Sequence, residues 1–86
     1  MSFSIHYDAS ARKFLKKLDA QFSKRIMNKI DQLLPDNPVP HDVKSIVGEH
    51  GVFRVRVGDF RILYRTDYQE NKIIIITIDK RERVYD

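Results

Sequence analysis

The chain predicts an α+β fold with element order β-α-α-β-β-β, a helical hairpin packed on one face of a mostly antiparallel four-stranded sheet. Three observations carry that expectation. Two amphipathic stretches with helical spacing lie before Pro35, Phe53 to Arg65 alternates apolar residues with arginine around a two-residue break, and Lys72-Ile73-Ile74-Ile75-Ile76-Thr77-Ile78 is a β-branched run. With 86 residues, 42% of them hydrophobic and 33% charged, the chain forms one domain over residues 1–86 with a single core.

Ser4 to Tyr7 is a short strand candidate. Asp8 reads as an N-cap, because Ala11, Phe14, Leu15 and Leu18 follow at helical spacing, and the first helix runs from about Ala9 to Leu18. Asp19 caps a second helix with the stripe Phe22, Ile26, Ile30, Leu33 and Leu34, ended by Pro35 and Pro38. Asp36 to Gly51 holds two prolines, two glycines and two histidines without clear periodicity, and reads as a connecting loop. Thr66 to Asn71 is a polar turn. The isoleucine run lacks alternation, which marks a strand central in the sheet or covered on each face.

The hairpin is the most specific local signal. If Gly58 and Asp59 form its turn, Val57 faces Phe60, Arg56 faces Arg61 and Val55 faces Ile62. Alternation then puts Phe53, Val55, Val57, Phe60, Ile62 and Tyr64 on one face and Arg54, Arg56, Arg61 and Arg65 on the other. Like charges directly opposite repel. At roughly 5 Å and an effective dielectric near 20, an Arg56–Arg61 pair costs about 3 kcal/mol before salt and side-chain splay reduce it. A bound phosphate relieves that cost, so the arginine face reads as an anion site; the plain alternative is a solvated face whose long side chains splay apart. With helices on the apolar side, the arginine face is expected to form a shallow basic concavity, with the charged tail nearby.

A formal net charge of +4 suggests an acidic partner, and arginines gathered on one strand face point to nucleic acid rather than to a membrane. The start Met1-Ser2-Phe3-Ser4-Ile5-His6 lacks a signal-peptide pattern, and the run Ile73 to Ile76 is too short to span a bilayer, so a cytoplasmic location is expected. The absence of cysteine excludes disulfides, thiol catalysis and zinc–thiolate sites.

Arginine is planar, permanently charged and able to contact phosphate through two N–H groups, so Arg54, Arg56, Arg61 and Arg81 suit backbone binding and stabilisation of transition-state charge. They suit proton abstraction poorly. Tyr85 offers a ring for base stacking, or else packs on the domain edge. His6, His41 and His50 share no metal-ligand spacing; a loop histidine can act as general base or simply be solvated, and Glu49 is a weaker candidate. There is no phosphate-binding glycine loop and no hydrolase nucleophile motif.

The element order, the segment from Val52 to Tyr64 and the ending Lys80-Arg81-Glu82-Arg83-Val84-Tyr85 resemble the RelE/ParE toxin superfamily over essentially the whole chain. Branches that do not cut RNA share the hairpin, whereas the terminal arginine with a following tyrosine resembles the RelE branch. That resemblance implies a toxin of a type II toxin–antitoxin system, a ribosome-dependent endoribonuclease that cleaves mRNA in the A site and needs no metal or cofactor. It implies that Arg61 stabilises the phosphorane charge, Arg81 protects or protonates the leaving oxygen, and Tyr85 stacks on or orients the nucleotide. Arg54 holds the RNA backbone, with Arg65, Lys80 and Arg83 as further RNA-binding residues.

Arg56 falls where the best-known RelE member carries a lysine assigned as general base. An arginine does not readily release its proton, so Arg56 acts electrostatically or another group serves as base, with His41 a candidate. The implied partner is an acidic, RelB-like antitoxin forming a hetero-oligomer. Two alternatives stay open: a ParE-type inhibitor of DNA gyrase, and a basic RNA-binding module without catalysis.

Overall fold

The computed structural model describes residues 2–40, 43–46 and 48–80. Strand β1 (Ser4–Tyr7) leads into helices α1 (Ala9–Lys17) and α2 (Ala20–Leu33), followed by β2 (Lys44–Ser45), β3 (Val52–Val57), β4 (Phe60–Asp67) and β5 (Lys72–Lys80). The sheet order is β1-β5-β4-β3-β2. Three ladders are antiparallel and the β1–β5 ladder is parallel. The sheet is therefore mixed and has five strands rather than the expected four. The extra strand is β2, two residues in the segment read as a loop, which no apolar alternation betrays and which is defined only by pairing Lys44 with Arg54 and Ser45 with Phe53.

Both helices begin where the aspartates stand. Asp19 accepts a hydrogen bond from the Gln21 N–H at 3.3 Å. Asp8 occupies the N-cap of α1 without a side-chain capping bond, so that helix start rests on backbone bonds, among them the Asp8 N–H donating to the Ile75 carbonyl at 2.9 Å. Ser23 Oγ donates to the Leu15 carbonyl at 2.7 Å and joins the two helices. At the end of α2 the Phe3 N–H donates to the Pro35 carbonyl at 2.8 Å, tying the amino-terminal segment to that corner.

The core lies between the helices and one sheet face. Ile26, Ile30 and Leu34 of the second helical stripe are buried against Val55, Val57, Phe60, Ile62, Tyr64, Ile73, Ile75 and Ile78, with Phe53 half-buried beside them. The apolar face read from the hairpin is thus the core face. Phe60 meets Phe14 edge-on at 5.9 Å between ring centroids, which locks α1 over the hairpin.

The isoleucine run is interior to the sheet, as expected, but it is not covered on both faces by the described residues: Ile74 and Ile76 are only half-buried. Its missing alternation has another cause. The β4–β5 register shifts between Leu63 and Tyr64, which pair with Thr77 and Ile75, so Ile76 is an extra residue and the buried positions run Ile73, Ile75, Ile78.

Candidate nucleic-acid interface

The turn comes first, because it sets which side chains share a face. Gly58 has φ 59° and Asp59 is not among the residues of positive φ, the sign pattern of a type II′ turn. The register that follows pairs Val57 with Phe60, Arg56 with Arg61, Val55 with Ile62 and Arg54 with Leu63. Since Val55, Val57, Phe60 and Ile62 enter the core, strand alternation turns Arg54, Arg56, Arg61 and Arg65 to the opposite face. The helices pack against the core face; at β5, Ser10 Oγ of α1 lies 3.0 Å from Thr77 Oγ1.

Rows running across the strands give the face its structure. The row nearest the turn holds Arg56 on β3, Arg61 on β4 and Asp79 on β5. The next holds Lys44 on β2, Arg54 on β3, Leu63 on β4 and Thr77 on β5. Arg65 lies in a further row between Val52 and Ile74. Arg56, Arg65 and Lys44 are exposed, while Arg54 and Arg61 are half-buried. Half-buried Leu63 and Ile74 give the centre of this basic surface an apolar floor.

Asp79 alters the electrostatics inferred from the hairpin alone. Its Oδ1 accepts a hydrogen bond from Arg61 Nε at 3.1 Å, with side chains 34% exposed for Arg61 and 55% for Asp79. Part of the Arg56–Arg61 repulsion is therefore offset within the fold. A pair this accessible contributes little net stability.

Of the site residues expected from sequence, Arg54, Arg56, Arg61 and Arg65 come together on one face. Lys80 does not join them: it pairs with Phe60, whose row faces the helices. His41, Arg81, Arg83 and Tyr85 lie outside the described residues. His6 sits on the edge strand β1 in the row of Ile74, with Nε2 3.1 Å from Ser4 Oγ, and Glu49 and His50 are exposed near the start of β3.

Sequence reasoning missed Asp79 and Lys44. Extending β5 one residue past Ile78 would have reached Asp79, but its partner depends on the register shift. Nothing in the sequence around Lys44 marks a strand.

A cleft of about 820 Å³ lies between β1, α1 and α2, lined in part by Tyr7, Arg12, Leu15 and Met27. Another of about 580 Å³ lies between α2 and the hairpin tip. Neither is lined by an arginine of the hairpin. In the first cleft, burial together with the negative charge of Asp31 pushes the Tyr7 phenol up to about 12. Its hydroxyl is buried without a hydrogen-bond partner among the described residues. On the core side of the site, Tyr64 Oη donates to the Pro38 carbonyl at 2.7 Å and anchors the segment after α2 to β4.

Two helices over a mixed five-stranded sheet is the architecture this chain shares with solved RelE toxins. The family model described as the ParE toxin of type II toxin–antitoxin systems matches residues 5–85. A Methanocaldococcus jannaschii protein named RelE1 is 34% identical over 88 residues, covering 99% of this chain and 97% of that protein. The toxin–antitoxin complex RelBE2 of Mycobacterium tuberculosis contains a chain that superposes with a TM-score of 0.82 at 26% identity, over 94% of this chain and all of that one. The RelE–RelB complex of Pyrococcus horikoshii gives a TM-score of 0.80 at 24% identity, covering 98% of this chain, a likeness of fold. The chain belongs to the RelE/ParE superfamily and is a toxin of the type II toxin–antitoxin class.

Proposed function

We propose that this toxin is a ribosome-dependent endoribonuclease that cleaves mRNA in the A site and so stops translation in the cytoplasm. The observation that carries the reading is the row Arg56–Arg61, with Arg54 and Lys44 in the row behind it on the same open face. A fold gains nothing from stacking cations across a ladder, whereas a polyanion passing over them does. The half-buried Leu63 and Ile74 support a substrate that brings bases as well as phosphates.

The reaction is attack of a ribose 2′-oxygen on the adjacent phosphorus. A P–O2′ bond forms, the P–O5′ bond breaks, and the products are a 2′,3′-cyclic phosphate and a 5′-hydroxyl. In this reading Arg61 and Arg56 stabilise charge on the phosphorane oxygens, and Arg54 holds the strand. Arg81 protects the leaving 5′-oxygen, which takes its proton from solvent to become the hydroxyl, and Tyr85 stacks the nucleotide. The 2′-hydroxyl proton goes to a base that the arginines cannot supply, for which His41 is the candidate. With acid–base help so limited, much of the rate comes from in-line positioning, which the ribosome provides.

Similar solved structures include toxin–antitoxin complexes, RelBE2 and RelE–RelB, and the basic face fits an acidic antitoxin of the RelB type that forms a hetero-oligomer with this chain. One observation favours a rival: the matching family model carries the ParE name, the branch of gyrase inhibitors. Purified protein added to a reconstituted translation reaction and to a gyrase supercoiling reaction separates them. Arrested translation with supercoiling intact supports the nuclease, the reverse supports gyrase inhibition, and neither effect from folded protein leaves a non-catalytic RNA-binding module.

A further inference from the structure

We infer that Asp79 is a built-in competitor of the substrate phosphate, a residue that positions Arg61 and sets the toxin's preference for ribosome-bound over free RNA. The inference rests on the RNA-cleaving function proposed above and names a control on that same site. Three observations lead to it. Asp79 is the direct cross-strand neighbour of Arg61; its Oδ1 accepts from Arg61 Nε at 3.1 Å; and both side chains are solvent-accessible, at 34% and 55%. The carboxylate oxygen occupies a position on the guanidinium that a phosphate oxygen would otherwise take.

Two consequences follow from one bond. The hydrogen bond draws the Arg61 side chain towards β5 and away from Arg56, so its guanidinium is held in place before RNA arrives. The charge meanwhile lowers the pull of the Arg56–Arg61 row on any passing polyanion. A free single strand, held only by this face, must displace the carboxylate or share Arg61 with it. An mRNA already fixed by the ribosome meets the same obstacle at little cost, because its phosphate is delivered in position. Asp79 thus weakens indiscriminate binding more than it weakens productive binding.

The two roles separate by substitution. Asp79→Asn keeps an acceptor for Arg61 and removes the charge, whereas Asp79→Ala removes both. Glu70→Gln, in the exposed turn before β5, makes the same change in net charge away from the pair. Binding of a fluorescent single-stranded RNA is measured by anisotropy over a range of salt, with KM and kcat taken on ribosome-bound mRNA. Asp79→Asn is expected to bind free RNA about 3- to 10-fold tighter, with a log–log salt slope steeper by about 0.7, one additional phosphate contact on a single strand.

Glu70→Gln should change binding less than 2-fold. In an Arg61→Ala background the gain from Asp79→Asn disappears. On ribosomes Asp79→Asn lowers KM with kcat kept, while Asp79→Ala lowers kcat at least several-fold. If wild type binds RNA and Asp79→Asn matches its affinity and slope, the inference about Asp79 is overturned and the RNA reading stands. If neither protein binds free RNA, the inference about Asp79 is overturned; if wild type also leaves ribosome-bound mRNA intact, the RNA reading falls with it.

Discussion

Arg56 and Arg61 sit directly opposite each other across the β3–β4 ladder, on the sheet face turned away from the helices. Removing one of them should relieve repulsion while weakening the toxin. For Arg56→Ala we expect unfolding free energy unchanged or higher by up to about 1 kcal/mol, since screening reduces the bare Coulomb cost and Asp79 already offsets part of it. Cleavage on ribosomes should fall at least tenfold. Urea unfolding beside a cleavage assay checks the pair of outcomes; a variant that loses stability and activity together would make Arg56 a structural residue.

The face depends on the turn that sets its register. Gly58 has φ 59°, and a Cβ built there meets nothing within 4 Å, so Gly58→Ala meets a backbone penalty alone. A loss of about 1 kcal/mol is expected in chemical denaturation. Asparagine, which tolerates the left-handed region better, should recover part of that loss.

Tyr64 is fully buried and donates its hydroxyl to the Pro38 carbonyl at 2.7 Å. Tyr64→Phe leaves that carbonyl without this donor and should cost about 1–2 kcal/mol. Because the bond lies on the core side of the sheet, activity measured well below the melting temperature should stay within about twofold of wild type. A larger loss of turnover would mean that the segment around Pro38 helps to shape the site.

Alkaline pH has a signed effect through Tyr7. Its phenol rises from 10.0 to about 12 on folding, because of burial first and Asp31 second. The folded state therefore holds the proton more tightly than the unfolded chain, so this stabilising contribution is complete below about pH 10 and is lost between about pH 10 and 12. Tyr7→Phe should flatten that part of the stability curve. It should also leave neutral-pH stability equal or slightly higher, since the hydroxyl it removes is buried without a partner among the described residues. Thermal melts from pH 8 to 11 measure both effects.

Much of the fold was legible because two periodicities and one turn speak plainly. Gly58-Asp59 gave the register of β3 and β4 residue by residue, and the helical stripes gave α1, α2 and the residues they bury. The rest was hidden for physical reasons. Strand β2 is two residues held by pairing with β3, with no hydrophobic pattern of its own. The parallel docking of β1 on β5 is a long-range choice that local sequence does not record. Four consecutive isoleucines conceal a register shift, since any of them could face the core. That same shift hid Asp79 from view as the partner of Arg61. The arginines of the site could be read; the carboxylate that restrains one of them could not.

The central claim, that this arginine face cuts mRNA on the ribosome, is tested most directly by primer extension on ribosomes programmed with an empty A site. Wild type is compared with Arg61→Ala, Arg81→Ala and Tyr85→Ala, and with the same mRNA free in solution. The account predicts cuts within the A-site codon, absent or much weaker on free RNA, and lost at least a hundredfold in Arg61→Ala and Arg81→Ala variants that still fold. Intact mRNA after incubation with folded wild-type protein would contradict it, as would cleavage that survives the loss of Arg61.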